Sequence, residues 1–299
     1  MRLPSLMFCV GATKAGTSWL YRYLHGHDEV ALAAIKEAHF FDTIDFDDFE
    51  FQIGAFEDRV RDMKSAKATA EANGNIWKAE NLSAQIADLE RLISALRQGE
   101  EGLPAYLDYV FSQAGAGTRV VGDITPSYAL LSQERLAMMA GLTDDVRIVY
   151  LMRDPVERLW SHVRMQAKRN CPPHKTLAQK SRGILKRVTH NQHEGHIMAR
   201  GDYAAAVAKL KKAVPAEKLH IEFSERLYTE DGLRKLCHFL DITYKPGDME
   251  RRVHEGVQIE LEDDMRGWAA EYLAPQYAYV EEHIGALPEA WQANRVRVS

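Results

Sequence analysis

The sequence predicts an α/β fold, in which a P-loop-like, mostly parallel central sheet is flanked by helices and carries an inserted helical hairpin. Three observations predict it: short apolar runs recur along the chain, helical patterns follow them, and a glycine-containing turn joins the first run to the first helix. Strands that alternate with helices are typical of parallel sheets covered on both faces. We expect residues 1–299 to form a single domain.

The individual elements follow the apolar runs in order. Residues 5–10 (SLMFCV) are predicted to form a buried strand that ends at Gly11. The helical pattern of residues 17–26 follows, and Thr17 or Ser18 can cap this helix. Further strands are predicted at residues 119–122, 146–152 and 218–223.

Residues 56–102 depart from this alternation. They are rich in Ala, Lys, Glu and Gln and are interrupted at Asn73-Gly74, and their second half carries one apolar stripe at helical spacing. We predict two helices that form a hairpin inserted into the α/β core. We expect the stripe to pack on the chain's own body, with a homodimer contact or a cover over the acceptor site as alternatives.

Charge and cysteine usage limit the class of protein. The formal net charge of −5 provides no bulk attraction for polyanions, so no nucleic-acid partner is expected. Three widely separated cysteines fit a reducing compartment rather than a disulfide framework or a zinc site. No stretch approaches the ~20 apolar residues of a membrane span, and the N-terminal apolar run is too short for a signal peptide. We therefore expect a cytoplasmic protein without a membrane span.

The segment GATKAGTS, residues 11–18, has the features of a phosphate-binding loop. A turn from a strand into a helix directs backbone N–H groups and the partial positive charge of the helix N-terminus at one spot. Gly11 and Gly16 have P-loop spacing, but Thr17 stands where that motif has lysine, and Lys14 lies inside the loop instead. This disfavours a kinase or ATPase. A loop lysine suits sulfuryl transfer, because a cation can stabilise the departing phosphate without a divalent metal.

Three further segments carry polar residues of interest: KEAHFFD (36–42), GDITPSY (122–128) and RDPVERLWSH (153–162). Arg153 follows an apolar strand, at the carboxyl end where open α/β sheets bind ligands, and its planar fork suits phosphate. Ser161 lies eight residues further on, close to two helical turns. Taken alone, Arg153-Asp154-Pro155 favours a helix-starting turn with a local ion pair, but beside the first loop we favour a phosphate contact.

In this order, the four segments resemble the sulfotransferase family that uses 3′-phosphoadenosine 5′-phosphosulfate. The resemblance implies that Arg153 and Ser161 hold the 3′-phosphate of this donor, and that no metal is required. RRVHEG, residues 251–256, looks like the family's loop that closes over the nucleotide, so Arg251 or Arg252 could reach the 3′-phosphate; a plain surface loop is the alternative. The loop residues that the resemblance assigns to the 5′-phosphosulfate are Lys14, Ala15, Gly16, Thr17, Ser18 and Trp19.

KEAHFFD is similar to a segment of heparan sulfate 3-O-sulfotransferases and, more loosely, of N-sulfotransferases, here in a soluble form. The resemblance places the general base at Glu37. His39 would help it, because residues two apart in an extended segment point to the same side, and Asp42 could orient one of them or the acceptor. Lys14 would stabilise the leaving group.

The GDITPSY segment departs from the heparan sulfate enzymes. Ile124 stands where the 3-O-sulfotransferases have a lysine, which argues against a heparan-type acceptor. Asp123 and Tyr128 are candidate acceptor contacts, with a structural role as the alternative.

Residues 164–200 are strongly basic and form either a solvated face or a patch for an anionic acceptor or the donor's phosphates. His190, His193 and His196 recur in steps of three, but they lack suitable partner ligands, so no metal site is expected. The predicted function is sulfuryl transfer to a hydroxyl of a saccharide or other small molecule. A nucleotide-dependent kinase and a non-catalytic nucleotide-binding scaffold are the alternatives.

Overall fold

The protein is a parallel α/β structure, and the predicted fold class is confirmed. The computed structural model describes residues 3–248 and 259–295. Its sheet has the order β2-β3-β1-β4-β5, and all neighbouring strands run parallel. The strands are β1 Ser5–Gly11, β2 Val30–Leu32, β3 Val120–Ile124, β4 Val146–Met152 and β5 Leu219–Phe223.

Helices flank this sheet and connect its strands. The α-helices are α1 Thr17–His25, α2 Phe40–Asp45, α3 Phe49–Ala72, α4 Ile76–Leu96, α5 Leu103–Phe111, α6 Gln133–Ala140, α7 Pro155–Arg169, α8 Leu177–Thr189, α9 Gly195–Ala199, α10 Tyr203–Ala213, α11 Ser224–Leu227, α12 Glu230–Leu240, α13 Asp263–His283 and α14 Glu289–Arg295. Short 3₁₀ turns lie at Gly99–Gly102, Pro126–Leu130 and Ala216–Lys218. Within the two described ranges, none of the helices combines the length and hydropathy that a bilayer crossing requires.

Strand β1 occupies the centre of the sheet because it is apolar on both faces. Each of its residues is buried, as is typical of parallel strands covered on both sides. Cys9 pairs with Ile124 of β3, and Gly11 pairs with Tyr150 of β4. The carboxyl ends of β1, β3 and β4 therefore meet at one edge, and the loops that follow them share that edge.

Helices α3 and α4 form the predicted hairpin, although α3 begins at Phe49, seven residues before the predicted start. The turn lies at the predicted break: Gly74 has a φ of 68°, and the Asn75 side chain caps α4 by accepting from the Lys78 N–H. The stripe residues Ile86 and Leu89 are buried in the hydrophobic core. Treating this hairpin as an insertion into a single domain stays a prediction.

Candidate active site

The loop between β1 and α1 has the backbone geometry of an anion-binding turn. Lys14 and Gly16 have φ angles of 70° and 85°, in the left-handed region. No described side chain caps α1, and the first intrahelical bonds run from the Trp19 and Leu20 N–H groups to the Gly16 carbonyl. The N–H groups of Thr17 and Ser18 precede these bonds, so they have no partner inside the helix. A helix N-terminus of this kind attracts phosphate or sulfate.

Side chains from the end of β5 hold this loop from behind. A Cβ at Gly16 would overlap the Tyr228 hydroxyl, so glycine is required here both by space and by its positive φ. Ser224 Oγ donates to the Ala15 carbonyl at 2.6 Å. The Trp19 ring packs edge-on against Tyr228, with 4.9 Å between ring centroids. Ala15 and Trp19 are both buried, so Trp19 supports the loop from the interior of the protein.

Several cations surround the loop lysine. Burial lowers the pKa of Lys14, the positive charges of Arg153, Arg164 and Arg169 lower it further, and Glu37 opposes the shift. Arg153 follows β4, whereas Arg164 and Arg169 come from α7, which also carries the half-buried Ser161. The tertiary fold thus brings the two predicted donor-binding segments to one place.

Asp154 does not form the local ion pair with Arg153 that its position suggests. Its Oδ1 accepts from the Glu157 N–H and the Asn294 side chain, each at 2.9 Å, and its Oδ2 accepts from Tyr277 Oη at 3.0 Å. Burial raises the pKa of Asp154 to about 6. Asp154 therefore caps α7 and ties it to α13 and α14. The sequence signal for this role is the Asp-Pro pair, an N-cap followed by proline at the first helical position.

Glu37 and His39 lie side by side, but not for the reason that the sequence suggested. The segment is not extended, because both residues have positive φ angles, 68° and 51°. His39 Nε2 nevertheless lies 3.6 Å from Glu37 Oε2. On the other side of the ring, Nδ1 lies 2.7 Å from Asp42 Oδ2, which also accepts from Ser127 Oγ at 2.5 Å. The result is a carboxylate–imidazole–carboxylate chain that ends at Glu37.

The charges of these hydrogen-bonded side chains stabilise one another. Burial alone would raise the pKa of Glu37, but contacts with His39 and Lys36 outweigh it and lower the pKa to about 2. Burial alone would lower the pKa of His39, but Asp42 and Glu37 raise it to about 10. At neutral pH the pair is therefore a carboxylate and an imidazolium. Lys36, which forms an ion pair with Glu37, and Ser127 were missed in the sequence; the adjacent Lys-Glu pair was the available signal.

Asp123 and Tyr128 lie beneath the Glu37 segment. Tyr128 is 0% exposed, donates to Asp123 Oδ2 at 2.7 Å and accepts from the Phe40 N–H at 3.1 Å. Tyr106 Oη also donates to Asp123 Oδ2, at 2.9 Å. These buried side chains hold the backbone of the segment, since Asp123 Oδ1 also accepts from the Ala38 N–H. Ile124, next to Asp123, is likewise buried.

The basic stretch 164–200 divides into two groups. Arg182 forms ion pairs with Glu262 and Asp264, and Arg187 pairs with Glu194, so these two arginines are neutralised by the protein itself. Arg164 and Arg169 instead act on Lys14. Over residues 3–248 and 259–295, no group of three or more His, Cys, Asp or Glu side chains is arranged to hold a metal ion.

His190, from the histidine series, packs edge-on against Trp268, with 4.9 Å between ring centroids. Arg251 and Arg252 lie outside the described residues.

A family model described as "Sulfotransferase family" matches residues 5–246. A solved sulfotransferase from Alicyclobacillus acidocaldarius is 21% identical, with a TM-score of 0.61 over 98% of this chain and 100% of its own. A sulfotransferase domain from the curacin biosynthetic pathway is 16% identical, with a TM-score of 0.50 over 96% of this chain and 100% of its own. No curated protein sequence matches the chain. At these identities the solved structures show a shared fold.

Proposed function

This chain belongs to the sulfotransferase family, and we propose that it moves a sulfuryl group from 3′-phosphoadenosine 5′-phosphosulfate to an acceptor hydroxyl. The observation that carries the proposal is the electrostatic setting of Lys14. Its ammonium group lies within electrostatic range of both Arg153 and Glu37. A cation suited to a leaving phosphate is thus near an arginine that can anchor an anion and near a carboxylate that can accept a proton.

The chemistry of the loop suits the donor, which is anionic at both ends. We assign its 5′ end to Lys14 and to the Thr17 and Ser18 N–H groups, and its 3′-phosphate to Arg153 and Ser161. Arg153 is suited to this contact because its side chain is 34% exposed and its ion-pair partner among the described residues, Glu157, lies 4.0 Å away. Because its contact with Glu157 is long, the Arg153 guanidinium can leave that carboxylate and bind phosphate through two hydrogen bonds.

In the proposed reaction, Glu37 accepts the proton of the acceptor hydroxyl as its oxygen forms a bond to sulfur. The bond between sulfur and the bridging phosphate oxygen breaks, and Lys14 stabilises the negative charge that develops on that oxygen. His39 holds the Glu37 carboxylate in place. An acceptor that displaces Lys36 from Glu37 would remove one of the contacts that lower the pKa, and would make the carboxylate a stronger base.

The acceptor class is a separate part of the proposal. We propose a hydroxyl of a saccharide or other small molecule. A buried isoleucine at position 124, where the heparan sulfate 3-O-sulfotransferases have lysine, does not favour a heparan-type acceptor. In this proposal, Asp123 and Tyr128 support the Glu37 segment rather than contact the acceptor.

Ligand-dependent unfolding tests the donor assignment directly. Adenosine 3′,5′-bisphosphate at 1,000 times its Kd should stabilise the fold by about 4 kcal/mol, whereas ATP with Mg²⁺ should have a smaller effect. Transfer of labelled sulfate to a panel of sugars, phenols and alcohols then tests activity. A clear shift with ATP–Mg²⁺ and none with the bisphosphate would contradict the proposal.

A further inference from the structure

Arg158 is a buried cation directly behind the phosphate-binding loop. It lies on α7, its residue is 1% exposed, and it is among the largest fully buried side chains. Its Nη1 lies 3.5 Å from the Thr13 carbonyl oxygen in the loop and 3.5 Å from the Arg200 carbonyl oxygen. The side chain therefore joins α7 to the loop.

The charge of Arg158 has little compensation from the protein. In the part of the chain that the structure describes, its Nε has no hydrogen-bond partner and its guanidinium forms no ion pair with a carboxylate. Burial lowers its pKa, the neighbouring Tyr203 and Tyr150 oppose this shift, and Arg153 adds to it. His162, one turn further along α7, is also 1% exposed, and its Nδ1 has no partner among the described residues. A buried charge without a partner destabilises the folded protein.

The contact with Thr13 also orients the loop. In a trans peptide the C=O and N–H groups point in opposite directions. Because the Thr13 carbonyl faces Arg158, the N–H of the same peptide, which belongs to Lys14, faces away from α7. Arg158 thus sets the direction of the Lys14 N–H group, and its guanidinium adds positive charge next to the loop.

We propose that Arg158 is a positioning residue for the donor: it orients the loop through the Thr13 carbonyl, and the anion that the loop binds supplies the counter-charge that this guanidinium lacks. This inference rests on the proposed function, in which that anion is the donor's phosphate. In the free protein the unpaired charge of Arg158 is destabilising, and binding of the anion removes this destabilisation. A purely structural arginine would instead stabilise the free protein and leave affinity unchanged.

Gly201 offers a second way to test the same contact. A Cβ at this position would overlap the Arg158 guanidinium, which is the movable end of a flexible side chain. Gly201→Ala therefore displaces the guanidinium without removing its charge. Gly54→Ala is the matched control, because nothing lies within 4 Å of a Cβ there.

The experiment is calorimetric titration of adenosine 3′,5′-bisphosphate into the wild type, Arg158→Met, Arg158→Lys and Gly201→Ala, with thermal unfolding of each protein without nucleotide. Arg234→Met is the control for a lost arginine, since Arg234 is exposed and pairs with Glu230 on α12. We expect roughly 10- to 100-fold weaker binding for Arg158→Met and Gly201→Ala, the range typical of groups that act through a positioning contact, and an intermediate loss for Arg158→Lys. We expect Arg158→Met to unfold at the wild-type temperature or higher, and the controls to bind normally.

The outcomes separate the two proposals. Wild-type affinity in Arg158→Met, or a loss of stability in the nucleotide-free variant with affinity retained, would overturn the role of Arg158 alone. Failure of Arg158→Met to fold would also overturn it, because the proposal requires the free protein to tolerate the loss of this charge. No binding of the bisphosphate by the wild type would overturn the proposed function and this inference together.

Discussion

The most direct test of the architecture beneath Glu37 is the removal of one hydroxyl, Tyr128→Phe. This hydroxyl donates to Asp123 and accepts from the Phe40 N–H. The residue is fully buried, so water cannot replace either partner. The substitution keeps the ring and removes only the hydroxyl group.

The expected cost follows from these two bonds. A hydrogen bond to a charged group contributes about 1.5–3 kcal/mol, and an unpaired buried N–H costs about 1–3 kcal/mol. Because Tyr106 Oη also donates to Asp123 Oδ2, the contributions belong to one network and do not add fully. We therefore expect Tyr128→Phe to lower the free energy of unfolding by roughly 3–4 kcal/mol. Looser positioning of Glu37 should also reduce turnover, by about tenfold to 100-fold.

Tyr109→Phe is a matched control for this measurement. Tyr109 is also buried, but its hydroxyl has no hydrogen-bond partner among the described residues. Removing it should leave stability unchanged or raise it, because an unsatisfied polar group is lost. Urea denaturation of the wild type and both variants measures the difference. Equal effects of the two substitutions would refute the argument that the Asp123 network holds the segment.

Three further predictions concern the site itself. Glu37→Gln should reduce turnover by about 10²- to 10⁴-fold while bisphosphate affinity stays normal; near-normal turnover would exclude Glu37 as the base. Gly16→Ala should abolish donor binding in a titration, because the new methyl overlaps Tyr228, whereas Gly74→Ala, which shares a positive φ but has open space, should bind normally. The raised pKa of His39, about 10 against an ordinary 6.5, stabilises the fold fully below pH 6.5, and this stability is lost as pH rises through about 10. The difference in unfolding free energy between wild type and His39→Gln should therefore shrink over that range; a constant difference would contradict the shift.

Residues of the candidate site could be placed from the sequence where they belong to a contiguous motif. The loop that carries Lys14 follows an apolar strand and precedes a helix, so its place at the sheet edge follows from local pattern alone. Arg153 was placed at the same edge by the same argument. Asp154 was not predictable in this way, because its partners Tyr277 and Asn294 lie far along the chain.

The positions of other candidate site residues depend on backbone torsion angles and tertiary packing, which hydrophobic periodicity does not predict. Glu37 and His39 meet because both adopt positive φ angles, not because the segment is extended. Arg158 lies in a segment with the polar character of an exposed helix, yet it is buried beneath the loop. Among the basic residues of 164–200, Arg182 pairs with acids at the start of the sequence-distant α13, whereas the positive charge of Arg169 lowers the pKa of Lys14.

The sequence by itself determined the α/β class, because apolar periodicity selects which faces are buried, and the tight turn between β1 and α1, because glycine spacing selects where a backbone can turn. The family followed from the resemblance of four sequence motifs, and a family model matches residues 5–246. Only the tertiary structure decided which charges meet. Whether an arginine is neutralised by a carboxylate, faces the cleft or lies unpaired beneath the loop depends on segments that approach from distant parts of the chain. Electrostatic interactions act over a few ångströms of space rather than along the sequence, so the sequence-distant partners of Asp154 and Arg158 appear only once the chain is folded.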